Sequence, residues 1–221
     1  GRGEWAGRFI RAAKALRGLG FPAYFLDFET IQFAVPIWAG TRPYQQIPFQ
    51  FSLHKLDRAG NLTQRAFLDL SGGDPSGMFA HALIEACGST GPVFVYNASF
   101  ESGHIRELAA RFPSLATPLQ SIRERIVDLL PVARDHYYHP SQQGSWSIKA
   151  VLPAAVPELS YESLDGVRDG GVAMAVYAEA LQPATTAERK AEIERQLLAY
   201  CGLDTLAMVR LWEFFGGTSC Q

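Results

Sequence analysis

Residues Tyr24 to Thr30 read YFLDFET. The aromatic and aliphatic residues suit a buried β-strand, yet the stretch also sets Asp27 and Glu29 two positions apart. Strand side chains alternate between faces, so the two acids share one side while Leu26 and Phe28 take the other. Two carboxylates then crowd one spot, where each raises the other's pKa unless a cation lies between them. A divalent metal is one remedy; a strand end that runs into water, with both acids hydrated, is the alternative. Further ligands elsewhere in the chain would decide between them.

Upstream, Trp5, Phe9, Ala12, Ala13 and Leu16 recur at helical spacing among Arg8, Arg11, Lys14 and Arg17. This predicts a basic amphipathic helix from Glu4 to Leu19, stopped by Gly18, Gly20 and Pro22. Segment 1–20 reads as a helix packing its Trp5 face on the following domain, as a linker from an upstream domain would, or as a nucleic-acid guide. Packing is the commoner use of such a face. The chain opens Gly-Arg-Gly without a Met, so a longer parent protein is expected.

Downstream, the spacing predicts a strand over Phe49 to Leu56, with Phe49, Phe51 and Leu53 alternating with Gln50, Ser52 and His54, and another over Leu62 to Leu68. With Ala23 to Phe28 these form an antiparallel meander. Asp74 and Pro75 open a helix to Ala86 with Met78, Phe79, Ala82, Leu83 and Ala86 as its buried stripe. GPVFVYN is a short buried strand, followed by a helix from about Ser102 to Arg111. The stretch RDHYYHPSQQGS reads as a loop before a short helix at Ser147 to Leu152, and two helices follow over Val172 to Leu181 and Thr186 to Phe215. No repeat is present, so residues 21–217 are expected to form one α/β domain.

The 221 residues are 48% hydrophobic and 19% charged, enough for a substantial core. A net charge of -2 leaves no global basic footprint, so any nucleic-acid contact must be local. Cys87, Cys201 and Cys220 are scattered and odd in number, which argues against a disulfide framework and for a reducing, cytoplasmic location. No apolar run is long enough to span a bilayer and no secretory pattern is seen, so no membrane partner is expected.

Two further stretches place acids usefully. In VYNASFESGHI, Glu101 stands near a helix start, where the helix dipole alone would favour an acid, and Asn97 suits a turn. In LLAYCGLDTLAM, Tyr200 and Asp204 are four apart and share one helix face. Asp204 sits among apolar residues, where an unpaired acid is costly to bury; the alternative is a solvent-facing Asp204 and a core Tyr200. Asp128, in RIVDLLP, reads as an acid closing a strand or capping a helix, with an extra site acid as the other reading.

Taken in order, Asp27-Phe-Glu29, Asn97-Ala-Ser-Phe-Glu101 and Tyr200-Cys-Gly-Leu-Asp204 resemble the three motifs of the DEDD superfamily of 3′–5′ exonucleases. FLDFET with PYQQIPFQFSLH and GSWSIKAVLP is also similar to a bacterial family of unknown function thought to be nuclease-related. The Tyr-x-x-x-Asp spacing matches the tyrosine branch; a histidine-branch member would carry His where Ala199 stands. Glu101 departs from the pattern, which has Asp there. Ser147-Ile-Lys149 resembles the Ser-Leu-Lys element of ribonuclease D-like members.

The resemblance implies a ribonuclease H-like mixed sheet, an antiparallel meander plus parallel strands, flanked by helices. It implies two divalent cations, Mg2+ or Mn2+, held by Asp27, Glu29, Glu101 and Asp204, with Tyr200 orienting the attacking water. The implied partner is a nucleic acid, entering by a single-stranded 3′ end. Phe28, Phe100, Tyr44, Tyr137 and Tyr138 are candidates to stack on a base, and Arg42, Arg134 and Lys149 to meet phosphates. Thr30 and Asn97, beside the implied ligands, complete the candidate substrate contacts. Other readings of the same fold are a module that binds nucleic acid or a partner without cleaving, and a different phosphoryl-transfer enzyme such as a structure-specific endonuclease.

Overall fold

The computed structural model describes residues 13–217 apart from 15 and 17. Strand β1 (Ala23–Ile31) is the centre of a five-stranded sheet. Strand β2 (Ile47–Leu56) runs antiparallel to it, pairing Ala23 with Leu56 through Glu29 with Gln50, and the register shifts between Glu29 and Thr30. Strand β3 (Leu62–Leu68) is antiparallel to β2 and closes the meander. On the other flank, β4 (Val93–Val95) and β5 (Ile126–Asp128) run parallel to β1, giving the order β3-β2-β1-β4-β5. The mixed sheet expected from the sequence is thus observed, and its helix-flanked arrangement is compatible with a ribonuclease H-like fold.

Helices cover both faces because β1 is apolar on both. Tyr24, Leu26 and Phe28 turn toward α1 (Ser76–Cys87), α2 (Ala98–Arg111) and α3 (Ala116–Glu124), and meet Phe79, Leu83, Ile105, Leu108 and Leu119 there. The opposite face carries α4 (Leu129–His136), α5 (Ile148–Ala155), α6 (Gly170–Ala180) and the long α7 (Ala187–Phe214). Here β1 feeds two separate apolar clusters. Phe25 packs with Phe94, Leu129, Val151, Met208 and Trp212, whereas Ile31 packs with Phe49, Tyr177, Leu197 and Tyr200. Each large side chain so buried is worth about 1.5–3 kcal/mol relative to exposure. The two acids of β1 lie between these clusters, flanked along the strand by Phe25 and Ile31.

Several elements differ from the sequence expectation, each for a local reason. Both faces of β2 are buried, so its alternation separates two buried environments and not core from water. Ser52 and His54 tolerate this because α7 satisfies them, and Gln50 is satisfied only at its amide nitrogen, its Oε1 having no partner among the described residues. Gln50 Nε2 donates to the Leu197 carbonyl (2.8 Å), and Ser52 Oγ and His54 Nδ1 each meet Thr205 Oγ1 at 2.8 Å. Met78 is exposed, and α1 buries Ser76, Phe79, Ala80, Leu83, Ala86 and Cys87 instead. Helix α2 begins at Ala98, four residues earlier than expected, because Asn97 adopts a left-handed backbone (φ 87°) and ends the approach from β4. The first residues of RDHYYHPSQQGS are still helical, since α4 runs to His136.

Most of the amphipathic helix expected over residues 4–19 lies outside the described residues. Of its apolar stripe, Ala13 and Leu16 are described and both are buried, Leu16 in the cluster with Trp212 and Phe215. Among the described residues no helix is long and apolar enough to cross a membrane.

Candidate metal centre

Strand β1 and helix α7 build the centre between them. Alternation along β1 turns Asp27 and Glu29 toward α7, and helical periodicity brings Asp204 to the α7 face that meets the sheet. Asp27, Glu29 and Asp204 each offer a carboxylate oxygen, and these atoms lie within 4.8 Å of one another. Glu29 and Asp204 are buried and Asp27 is half-buried. Burial is the largest cause raising each of the three carboxyl pKa values, and the neighbouring acids raise Asp27 and Glu29 further. Glu29 is pushed up to about 8, with the Lys149 ammonium pulling the other way. Asp204 reaches about 6, held down by the Tyr161 hydroxyl, Lys149 and Tyr200.

The lining completes the picture. The Tyr161 hydroxyl donates to Asp204 Oδ1 at 2.5 Å, and the Cys201 thiol approaches the Asp27 carbonyl and Oδ2 at 3.7 and 3.8 Å. Lys149 Nζ donates to the Tyr200 hydroxyl oxygen (2.8 Å) and to the Arg168 carbonyl (2.9 Å). The ammonium is therefore engaged by neutral oxygens and influences the carboxylates only through space. Helix α6 starts alongside: a Cβ on Gly170 would stand 3.7 Å from Glu29 Oε2, and the Asp169 charge raises Glu29. Three convergent acids facing a single nearby ammonium are an oxygen-rich, charge-unbalanced set, the donor chemistry of Mg2+ or Mn2+. These residues fit such an ion.

Glu101 is set apart from the triad. It lies in the first turn of α2, almost fully buried, with Oε2 unpartnered among the described residues and outside the 4.8 Å group. Burial raises its carboxyl to about 8, and the Asp128 charge adds to this. Its own charge still raises Asp27, so it belongs to the same electrostatic neighbourhood. Of the four ligands implied by the resemblance, three converge and the fourth stays outside their group.

Asp128 is structural in geometry. Its carboxylate accepts the backbone N–H groups of Asn97, Ala98 and Leu130, each at 2.9 Å, so it caps α4 while fastening the start of α2. Asn97 is an exposed turn residue whose Oδ1 accepts the Ser99 hydroxyl.

The other candidates scatter. Phe28 is a core residue, edge-on to Phe79 at 5.0 Å, on the sheet face away from the acids. Thr30 is buried. Phe100 is half-buried and edge-on to His104 at 4.6 Å. Tyr137 packs against Phe214 and Phe215 in the core, Tyr138 is exposed near Trp146, and Arg134 pairs with neighbouring Asp135. Lys149 is the one phosphate candidate brought to the acid cluster. Sequence reasoning missed Tyr161, Cys201 and Asp169. Cys201 could have been found, since it precedes Asp204 by one helical turn; Tyr161 opens a single 3-10 turn and Asp169 caps α6, positions with no period to follow.

Residues 24–147 match the family described as Domain of unknown function (DUF2779). That span holds Asp27, Glu29, Glu101 and Asp128, while Lys149, Tyr161, Tyr200 and Asp204 follow it. No curated protein matches the chain.

Proposed function

We propose that this chain, which belongs to the DUF2779 family, is a metal-dependent 3′–5′ exonuclease acting on phosphodiester bonds of DNA or RNA. The observation that carries the reading is the convergence of Asp27, Glu29 and Asp204 within 4.8 Å, beside a tyrosine whose hydroxyl is held by Lys149. Asp27, Glu29 and Asp204 would hold Mg2+ or Mn2+, with Glu101 contributing from the first turn of α2. Such cations supply charge stabilisation at phosphoryl oxygens and a more acidic bound water.

The chain's own groups divide the remaining work. Burial and the acids around it raise the Tyr200 hydroxyl well above its ordinary range, so it stays protonated and acts as a hydrogen-bond donor, not as a base. Lys149 donates to the Tyr200 oxygen, which turns the hydroxyl proton to the side of Asp204, whose carboxyl it lowers and where it can orient a water or a phosphate oxygen. Tyr161 fixes Asp204 by donating to its Oδ1. Phe25 and Ile31, with the apolar clusters they belong to, exclude water on both sides of the acids.

A second reading, a non-cleaving module of the same fold, is favoured by the position of Glu101 outside the triad. Single-stranded DNA and RNA labelled at either end and incubated with Mg2+ or Mn2+ distinguish the two. The nuclease shortens them from the 3′ end, and Asp27→Asn and Asp204→Asn variants do not. Substrates left intact by wild type in both metals would favour the module.

A further inference from the structure

A cleft of about 410 Å3 opens between the Gln32–Gln46 loop and helix α2. Its walls include Gln32, Arg42, Tyr44 and Gln46 from the loop and His104 and Glu107 from the helix. A smaller cavity of about 40 Å3 continues beneath it, past His104 and Glu107. Two elements that carry the acids continue into the cleft walls. Gln32 directly follows β1, which carries Asp27 and Glu29, and His104 lies one helical turn beyond Glu101, a rise of about 4.5 Å.

The loop is firmly built, yet it displays what a folded chain ordinarily hides. Trp38 anchors it from within, edge-on to Phe33 and donating its indole N–H to the Gly72 carbonyl at 3.0 Å. Tyr44 N–H donates to the Phe33 carbonyl (2.8 Å), and the turn from Arg42 closes with Gln45 N–H on the Arg42 carbonyl (3.1 Å). Within that turn Tyr44 follows Pro43 with φ 57°, where glycine or asparagine is favoured. The residue is 67% exposed, so core packing does not account for a tyrosine there. Val35 and Ile37 on the same loop are also exposed. A side chain held in a disfavoured backbone region and presented to solvent is a mark of a ligand contact.

His104 lines the cleft from the helix side while only 7% exposed, so its ring is held in place by its surroundings. Amide side chains and imidazole offer mixed donors and acceptors, and the phenol offers a flat face. That combination matches the edge and face of a heterocyclic base.

We propose that this cleft takes an unpaired nucleobase of a single-stranded nucleic acid, with Tyr44 stacking on its face and Gln32, Gln46 and His104 meeting its edge. The choice of ligand rests on the phosphodiesterase reading above, although binding itself requires no hydrolysis. Arg42, exposed at the mouth, meets the backbone phosphate.

The test is fluorescence anisotropy in EDTA, with a short labelled oligonucleotide and an abasic chain of the same length. Wild type is expected to bind the base-bearing strand about tenfold more tightly. Tyr44→Phe keeps that preference. Tyr44→Gly loses most of it while its Tm is unchanged or raised by about 2 °C, because glycine relieves the left-handed backbone. Equal affinity of wild type for the two chains, or full preference in Tyr44→Gly, overturns the base pocket. So does an absence of binding to either, which would leave exposed Val35 and Ile37 to a protein partner. Hydrolysis with Mn2+ is scored separately: base preference without hydrolysis retains the pocket and removes the nuclease, and hydrolysis without base preference does the reverse.

Discussion

At the scale of single residues, Lys149 has the most informative position. It is the ammonium beside the acid cluster, and it lowers the carboxyl pKa values of both Glu29 and Asp204. Its direct bonds go to Tyr200 and the Arg168 carbonyl, and it also stands over the Tyr200 ring, 4.7 Å from the centroid. Lysine here therefore does two things at once: it orients the phenol and keeps the acids readier to ionise. Lys149→Met should release Tyr200 and, on the nuclease reading proposed above, lower turnover by about 10–100-fold, the range seen when groups that orient a metal site are removed. Lys149→Met should also shift the acidic limb of the pH–rate profile upward, because both carboxyls lose a neighbouring positive charge. A profile displaced downward, or unchanged kcat, would assign Lys149 to packing alone. Replacement by Arg should restore the pH profile better than the turnover, since a guanidinium keeps the charge but not the compact contact with the phenol.

At the scale of elements, Asp128 decides where α2 begins and hence where Glu101 and His104 point. One carboxylate takes three backbone N–H groups from two helices, so the end of β5 fastens the start of both α2 and α4. Asp128→Ala should cost about 2 kcal/mol, roughly 4–8 °C in Tm, as cap losses do. A melting curve that does not move would show that water replaces the carboxylate at no cost. Elements of this kind explain what the sequence could and could not reveal. The strands of the meander were legible, because alternating Phe49, Phe51 and Leu53 can satisfy one face of a sheet. The burial of Gln50, Ser52 and His54 was not, because their partners Leu197 and Thr205 come from α7, well over a hundred positions away. The early start of α2 was hidden because it depends on a left-handed Asn97 and a carboxylate from β5. Asp27, Glu29, Tyr200 and Asp204 were legible as a constellation since each pair sits at the repeat of its own element. Tyr161 was not, because a polar loop carries no period that would aim a side chain at Asp204.

At the scale of the whole molecule, the fold places charge where its own apolar clusters make charge expensive, and this couples stability to pH. Glu29 and Glu101 are raised from 4.5 to about 8, and Asp204 from 3.8 to about 6. The folded chain thus holds protons that the unfolded chain has released, so stability falls with rising pH wherever the two states differ. The contribution of the two glutamates is fully present below pH 4.5 and is lost as pH climbs through about 8. In EDTA, Tm is therefore expected to drop steadily between about pH 5 and pH 8.5, the opposite of ordinary acid denaturation. A divalent cation held by the proposed centre would reverse the trend, since it would bind the ionised acids of the folded state only. The rise in Tm on adding Mn2+ should accordingly be small near pH 5 and grow toward pH 8. Asp204→Asn removes one of the crowded charges, so it should flatten the slope in EDTA and abolish the response to Mn2+. Differential scanning calorimetry across that range, with and without Mn2+, measures both. A Tm independent of pH and indifferent to Mn2+ would mean that the triad is relieved by some route other than a metal, and the case for the centre would fall with it.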